Sequence, residues 1–151
     1  MNSRGIRILD HENNTVSVAL SDILNEIRVP EAFQWSILYL SATGNLGEGI
    51  SMSALQEKIN KSNKGLLIDW DELNLLAKKF FQIIDITIIS CVNVSYLHRD
   101  ATDQEMYEKC NTVIEMIDSG YWEVFSKDND LIERLASKFK QIKFLSTDFE
   151  K

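Results

Sequence analysis

Three residue sets in this chain could do chemistry: two cysteines, two histidines and a dense run of carboxylates. Cys91, His98 and Cys110 form the only grouping with metal-ligand chemistry, at spacings of seven and twelve residues. Structural zinc sites pair their ligands about two to four residues apart, and no such knuckle is present. Cys91 ends an apolar stretch and Cys110 falls on a predicted apolar helix face, where reduced cysteines serve as small hydrophobes. The expectation is two buried thiols without metal or disulfide, and no cofactor. His11 lies in a turn-rich linker, where an exposed imidazole is the default. Ser95 and His98 are three apart, but Asn93-Val94-Ser95-Tyr96-Leu97 is no nucleophile elbow. Gly44-x-x-Gly47-x-Gly49 lacks the Gly-Lys-Ser/Thr ending of a phosphate cradle and follows a predicted helix, so it reads as a loop. The pairs Asp69/Asp71, Glu105/Glu108 and Asp128/Asp130 sit near predicted helix starts, which favour acids through the helix dipole. No catalytic residue is assigned, and the chain is not expected to be an enzyme.

Charge distribution says more than charge pairs. The chain carries 23 acidic and 16 basic residues, a net charge of -7 and a pI near 4.8. Residues 100 to 133 hold ten acids (Asp100, Asp103, Glu105, Glu108, Glu115, Asp118, Glu123, Asp128, Asp130 and Glu133) against Lys109 and Lys127. The remainder of the chain is nearly neutral, so the excess negative charge belongs to one segment. An acidic surface repels phosphate backbones and steers basic proteins toward itself. Nucleic acid is therefore a poor partner and a basic protein domain a good one. The candidate partner-binding residues are Asp103, Glu108, Glu115, Tyr121, Trp122, Asp128 and Asp130. Tyr121 and Trp122 are adjacent on a predicted strand, so one ring points to the core and the other is free to anchor an interface.

These residues need elements to hold them. Ile6–Leu9 and Thr15–Ala19 are β-prone runs on either side of a polar linker and predict an N-terminal hairpin. Ser21 and Asp22 open a short helical pattern through Ile23, Leu24 and Ile27. Pro30 suits the first position of a second helix, with Phe33, Ile37 and Leu40 along one face and Trp35 and Tyr39 beside it. After the glycine-rich stretch 43–53, Ser53 with Gln56 predicts a capped helix through Leu55 and Ile59, and Asp69 with Glu72 predicts another. The latter carries the strongest stripe: Leu73, Leu76, Ala77, Phe80 and Phe81. Ile84 to Cys91 is too rich in β-branched residues for a helix and reads as a central strand. Thr102 with Glu105 opens a predicted helix whose face runs through Met106, Cys110, Val113, Ile114 and Ile117 to Ser119-Gly120. Tyr121–Phe125, a helix over Leu131, Leu135 and Phe139, and Ile142–Leu145 complete a C-terminal β-α-β unit. The expected fold class is α+β: a single compact domain over 1–151 with a mixed or antiparallel sheet.

With 44% hydrophobic and 26% charged residues the composition is that of a globular protein. No apolar run approaches the roughly 20 residues of a membrane helix, and the N-terminal residues carry no signal-peptide pattern, so a cytoplasmic protein without membrane contact is expected.

Trp70-Asp71-Glu72-Leu73, the run Phe80-Phe81-Gln82-Ile83-Ile84-Asp85, and Tyr121-Trp122-Glu123-Val124-Phe125-Ser126-Lys127-Asp128, in a small acidic α+β chain, resemble the immunity proteins of bacterial contact-dependent growth inhibition and polymorphic toxin systems. The resemblance implies a non-enzymatic inhibitor that binds and masks a basic toxin domain, often a nuclease. It transfers no functional residues, because such proteins diverge where they contact their toxins. The alternative is a small-molecule-binding or regulatory α+β domain with a pocket between the 43–53 loop and Phe33, Trp35 and Tyr39.

Overall fold

The computed structural model describes residues 4–13, 15–28, 33–93 and 103–146. Among these residues five helices accompany a seven-stranded sheet, an α+β arrangement. In chain order the elements are β1 (Arg4–Ile8), β2 (His11–Glu12), β3 (Thr15–Val16), α1 (Leu20–Leu24), β4 (Gln34–Gly44), α2 (Met52–Lys61), β5 (Leu66–Ile68), α3 (Trp70–Ala77), β6 (Phe80–Cys91), α4 (Asp103–Lys109), β7 (Thr112–Ile117), β8 (Tyr121–Ser126), α5 (Asn129–Lys138) and β9 (Ile142–Ser146). The sheet order is β5-β4-β6-β7-β8-β1-β9, with every pairing antiparallel.

β1 is antiparallel to both β8 and β9 and lies between them. The C-terminal β8-α5-β9 unit is therefore a β-α-β split by the first strand of the chain. This corrects the expected N-terminal hairpin: β1 pairs at the far end of the sequence, and the small hairpin that forms joins β2 in the polar linker to β3 at the start of the second β-prone run. Asp10, also in that linker, accepts hydrogen bonds from the backbone N–H groups of Lys140 and Gln141, tying the entry of β9 to the end of β1.

The predicted helix at Phe33–Leu40 is the strand β4. Trp35, Ile37, Leu40 and Ala42 all belong to one core cluster, and Leu38 is the extra residue of a β-bulge between the Ile37 and Tyr39 pairings. A bulge shifts parity by one. Apolar residues on one face of the strand thus acquire a three-residue step that reads as helical. The long helix expected from Met106 to Ile117 ends at Lys109, and β7 takes over at Thr112. Thr112, Ile114 and Met116 turn to one face and Val113 to the other, all buried, so the period of two is hidden. α3 likewise stops at Ala77, which places Phe80 and Phe81 at the start of β6, half-buried and exposed respectively. Ser51 rather than Ser53 caps α2, accepting from the Ala54 N–H.

Side chains from α1, α2, α3 and α5 form one core with the inner face of the sheet: Leu24, Ile59, Leu73 and Leu131 against Ile6, Ile37, Ile88 and Val124. Among the described residues α4 is the one helix that packs on the outer face. Where β5 ends, α2 protects the exposed edge of β4. The Asn60 carboxamide accepts from the Leu40 N–H at 3.1 Å and donates to the Leu40 carbonyl at 3.0 Å, while Gln56 Oε1 accepts from the Ala42 N–H at 2.7 Å. Four helical residues rise about 6 Å and two strand residues about 6.8 Å, so the two amides meet alternate residues of the strand. Gly65 introduces β5 with a φ of 67°, and a Cβ there would come within 2.1 Å of the Ile37 carbonyl oxygen beside the bulge.

Candidate functional site

The outer face divides in two. At one end Met106, Tyr107 and Cys110 pack on Leu38, Ile89, Cys91, Val113 and Phe125. Gly5 makes room for this cluster: a Cβ at that position would meet the Phe125 ring at 2.3 Å. Tyr107 stacks on the same ring with centroids 4.0 Å apart. At the other end no helix of the described residues packs on the face. Following the register from strand to strand, Lys143, Arg7, Glu123, Glu115, Thr87 and Tyr39 form one row across five of the six pairings.

The row is built around a repulsion. Glu115 and Glu123 are direct cross-strand partners, an arrangement that destabilises a sheet unless countered. Arg7 counters it: its Nε donates to Glu123 Oε2 at 2.7 Å, and Nη2 forms an ion pair with the same oxygen at 2.6 Å. The guanidinium also lies over the Tyr121 ring, 4.5 Å from its centroid, in a cation–π contact. Thr87 Oγ1 donates to Glu115 Oε2 at 3.3 Å. Only 11% of the Glu123 side chain is exposed, so Arg7 rather than water is its main polar neighbour. The β7–β8 turn, with positive φ at Asp118 and Ser119, closes the hairpin and is itself anchored, since the Asp118 N–H donates to Asp85 Oδ1 at 2.9 Å. The result is a half-open row of two carboxylates and two cations with the rings of Tyr39 and Tyr121 beside it; Arg7 is engaged by Glu123, which leaves Glu115 as the carboxylate of the row best placed to receive an ammonium or guanidinium group.

Of the sequence-derived candidates, Glu115 and Tyr121 lie on this face. α4, which begins at Asp103 and exposes Glu108, covers the neighbouring end of the same face. Of the Tyr121–Trp122 pair, Trp122 is the buried member, which removes it from the candidate binding residues: it lies on the inner face, and its Nε1–H donates to the Val18 carbonyl at 2.8 Å. Asp128 caps α5, accepting from the Asp130 and Leu131 N–H groups, and lies 3.8 Å from Arg134. Asp130 is exposed in the first turn of α5, whose buried residues join the inner core. These two acids therefore belong to the opposite layer from Glu115. Arg7 was not among the candidates, and Glu123 was counted only as charge. A β7–β8 hairpin turning at 118–120 would have set Glu115 opposite Glu123, but the predicted helix concealed that hairpin.

Cys91 and Cys110 are free and buried. Among the described residues no group of three or more His, Cys, Asp or Glu side chains could hold a metal ion; His98 lies outside them. The pocket expected beside the glycine-rich loop is not built from the aromatics named for it. Trp35 is buried against Trp70, and Tyr39 is exposed on the outer face. The loop instead borders a shallow apolar groove lined by Leu46, Ile50, Leu55, Leu75 and Leu76. No described helix is long and apolar enough to cross a membrane. Compared with protein-family models, curated proteins and solved structures, the chain finds no match.

Proposed function

We propose that this protein is a non-enzymatic binding protein that captures and masks a basic protein domain through the outer face of its sheet, in the manner of a toxin-neutralising immunity protein acting in the cytoplasm. The observation that carries the reading is the row in which Glu115 stands beside Glu123, with Arg7 over Tyr121, on a face that four of the five described helices leave uncovered. The sheet holds two carboxylates together at a cost that Arg7 offsets within the chain, and a basic partner would offset it further. Glu108 on α4 extends the same negative field. The ring of Tyr121 supplies the kind of half-exposed aromatic that concentrates binding energy in interfaces.

The reading is tested by co-expression. A toxin encoded beside the gene for this chain, with a basic C-terminal domain, should arrest growth alone and spare it when this protein is present. Protection should survive Asp130→Lys and weaken with the double reversal Glu108→Lys/Glu115→Lys. Equal protection by both variants would contradict the assigned face. No protection by the unaltered chain, against the toxin of its own neighbourhood, would contradict the class.

A further inference from the structure

Cys91 closes β6 and Cys110 follows the last residue of α4, its N–H still bonded to the Met106 carbonyl. The next residue, Asn111, donates its N–H to the Ser90 carbonyl, so the β6–β7 ladder draws the two cysteines together. Their sulfurs are 2.6 Å apart within the outer-face cluster, and the Cys91 S–H donates to Cys110 Sγ. That bond lowers the Cys110 thiol from its ordinary value; burial opposes the shift and the Lys127 charge assists it. The same bond, together with burial, raises Cys91. Two sulfurs in contact within one buried cluster are placed as thiol–disulfide exchange between them requires. Two cysteines serving only as small hydrophobes require no such contact.

We propose that Cys91 and Cys110 are a redox-active dithiol, closed to an intramolecular disulfide by a small-molecule disulfide such as oxidised glutathione, and that closure staples α4 to β6. The Cys110 thiolate attacks one sulfur of oxidised glutathione, forming a mixed disulfide and releasing one glutathione thiolate. Cys91 then gives up its proton to solvent and attacks Cys110 Sγ, expelling the second glutathione thiolate. The protein loses two thiols, and one glutathione disulfide is reduced to two thiols. Entry to the buried pair is through α4, a helix of seven residues packed by Met106 and Tyr107, which is the size of unit that opens locally. The inference stands apart from the identity of any partner.

The test uses the whole protein, equilibrated in glutathione buffers of increasing oxidised fraction, quenched with acid, denatured, alkylated with N-ethylmaleimide and weighed intact. Both alkyl groups should disappear together, leaving a monomer that carries no glutathione. Cys91→Ala, which lacks the resolving thiol, should instead retain one glutathione on Cys110. Amide exchange over 103–110 should slow by roughly a hundredfold in the oxidised wild type, as expected for closing a loop of this length. Two thiols that stay open to alkylation in fully oxidised buffer would overturn the proposal. So would glutathione on both cysteines or disulfide-linked dimers. Exchange over α4 unchanged by oxidation would overturn the staple.

Discussion

Trp122 and Tyr121 are neighbours with opposite duties. The indole of Trp122 is 1% exposed and its N–H is spent on the Val18 carbonyl, so Trp122→Ala should cost about 3–5 kcal/mol of folding free energy. Tyr121→Ala should stay within about 1 kcal/mol, because its ring is half-buried and contacts Arg7 at the surface. Denaturant midpoints for the two variants check this, and equal losses would contradict the assigned orientation. The sequence predicted that one ring of the pair is buried; which one depends on where the helices lie, and that is a property of the whole sheet. Arg7 makes a second case. Arg7→Met leaves Glu123 beside Glu115 with no cation on it and should destabilise by about 1–3 kcal/mol. Adding Glu115→Gln removes the like-charge partner and should recover part of that loss. Strictly additive losses in this double-mutant cycle would show that the two carboxylates are not coupled.

Elements were legible where a cap marks a helix start or where a short β-prone run stands clear of a competing helical phase. Asp69 caps α3 and Asp128 caps α5, and β8 and β9 fall within a residue of the expected runs. β4 was hidden by its bulge, and β7 because Val113, Ile114 and Ile117 continue the helical spacing of Met106 and Cys110, two situations in which local periodicity points to the wrong element. Asp128 also changes meaning at this scale. As the α5 cap, Asp128→Ala should cost about 1 kcal/mol in stability, whereas Asp130→Ala should cost little. Thermal melts of the pair decide between capping and an interface role. The edge of β4 yields a sharper expectation. Asn60→Leu removes both bonds to Leu40, leaves that backbone without its partner and should lower stability by about 1–3 kcal/mol. The freed edge should then self-associate, which Gln56→Leu in addition would strengthen. A monomeric Asn60→Leu variant of unchanged stability would contradict edge protection by α2.

Across the whole molecule, a chain of net charge -7 sorts its carboxylates by layer: Glu115 and Glu123 on the outer face, Asp128 and Asp130 at the start of a helix that packs on the inner one. The acidic run was legible in the sequence as a surplus. Its division between layers was not, because the β7–β8 register and the crossing to α5 set it. The central claim is that the outer-face acids receive a basic domain. The most direct measurement is the association rate of this protein with the basic toxin domain of its gene neighbourhood, followed by surface-immobilised kinetics over rising salt. Steering by the outer face predicts a rate that falls steeply with salt, falls roughly tenfold or more in Glu108→Lys/Glu115→Lys at low salt, and is unchanged in Asp130→Lys, with melting temperatures of all variants alike. A rate that ignores salt, or that drops for Asp130→Lys and holds for the outer-face reversal, would contradict it.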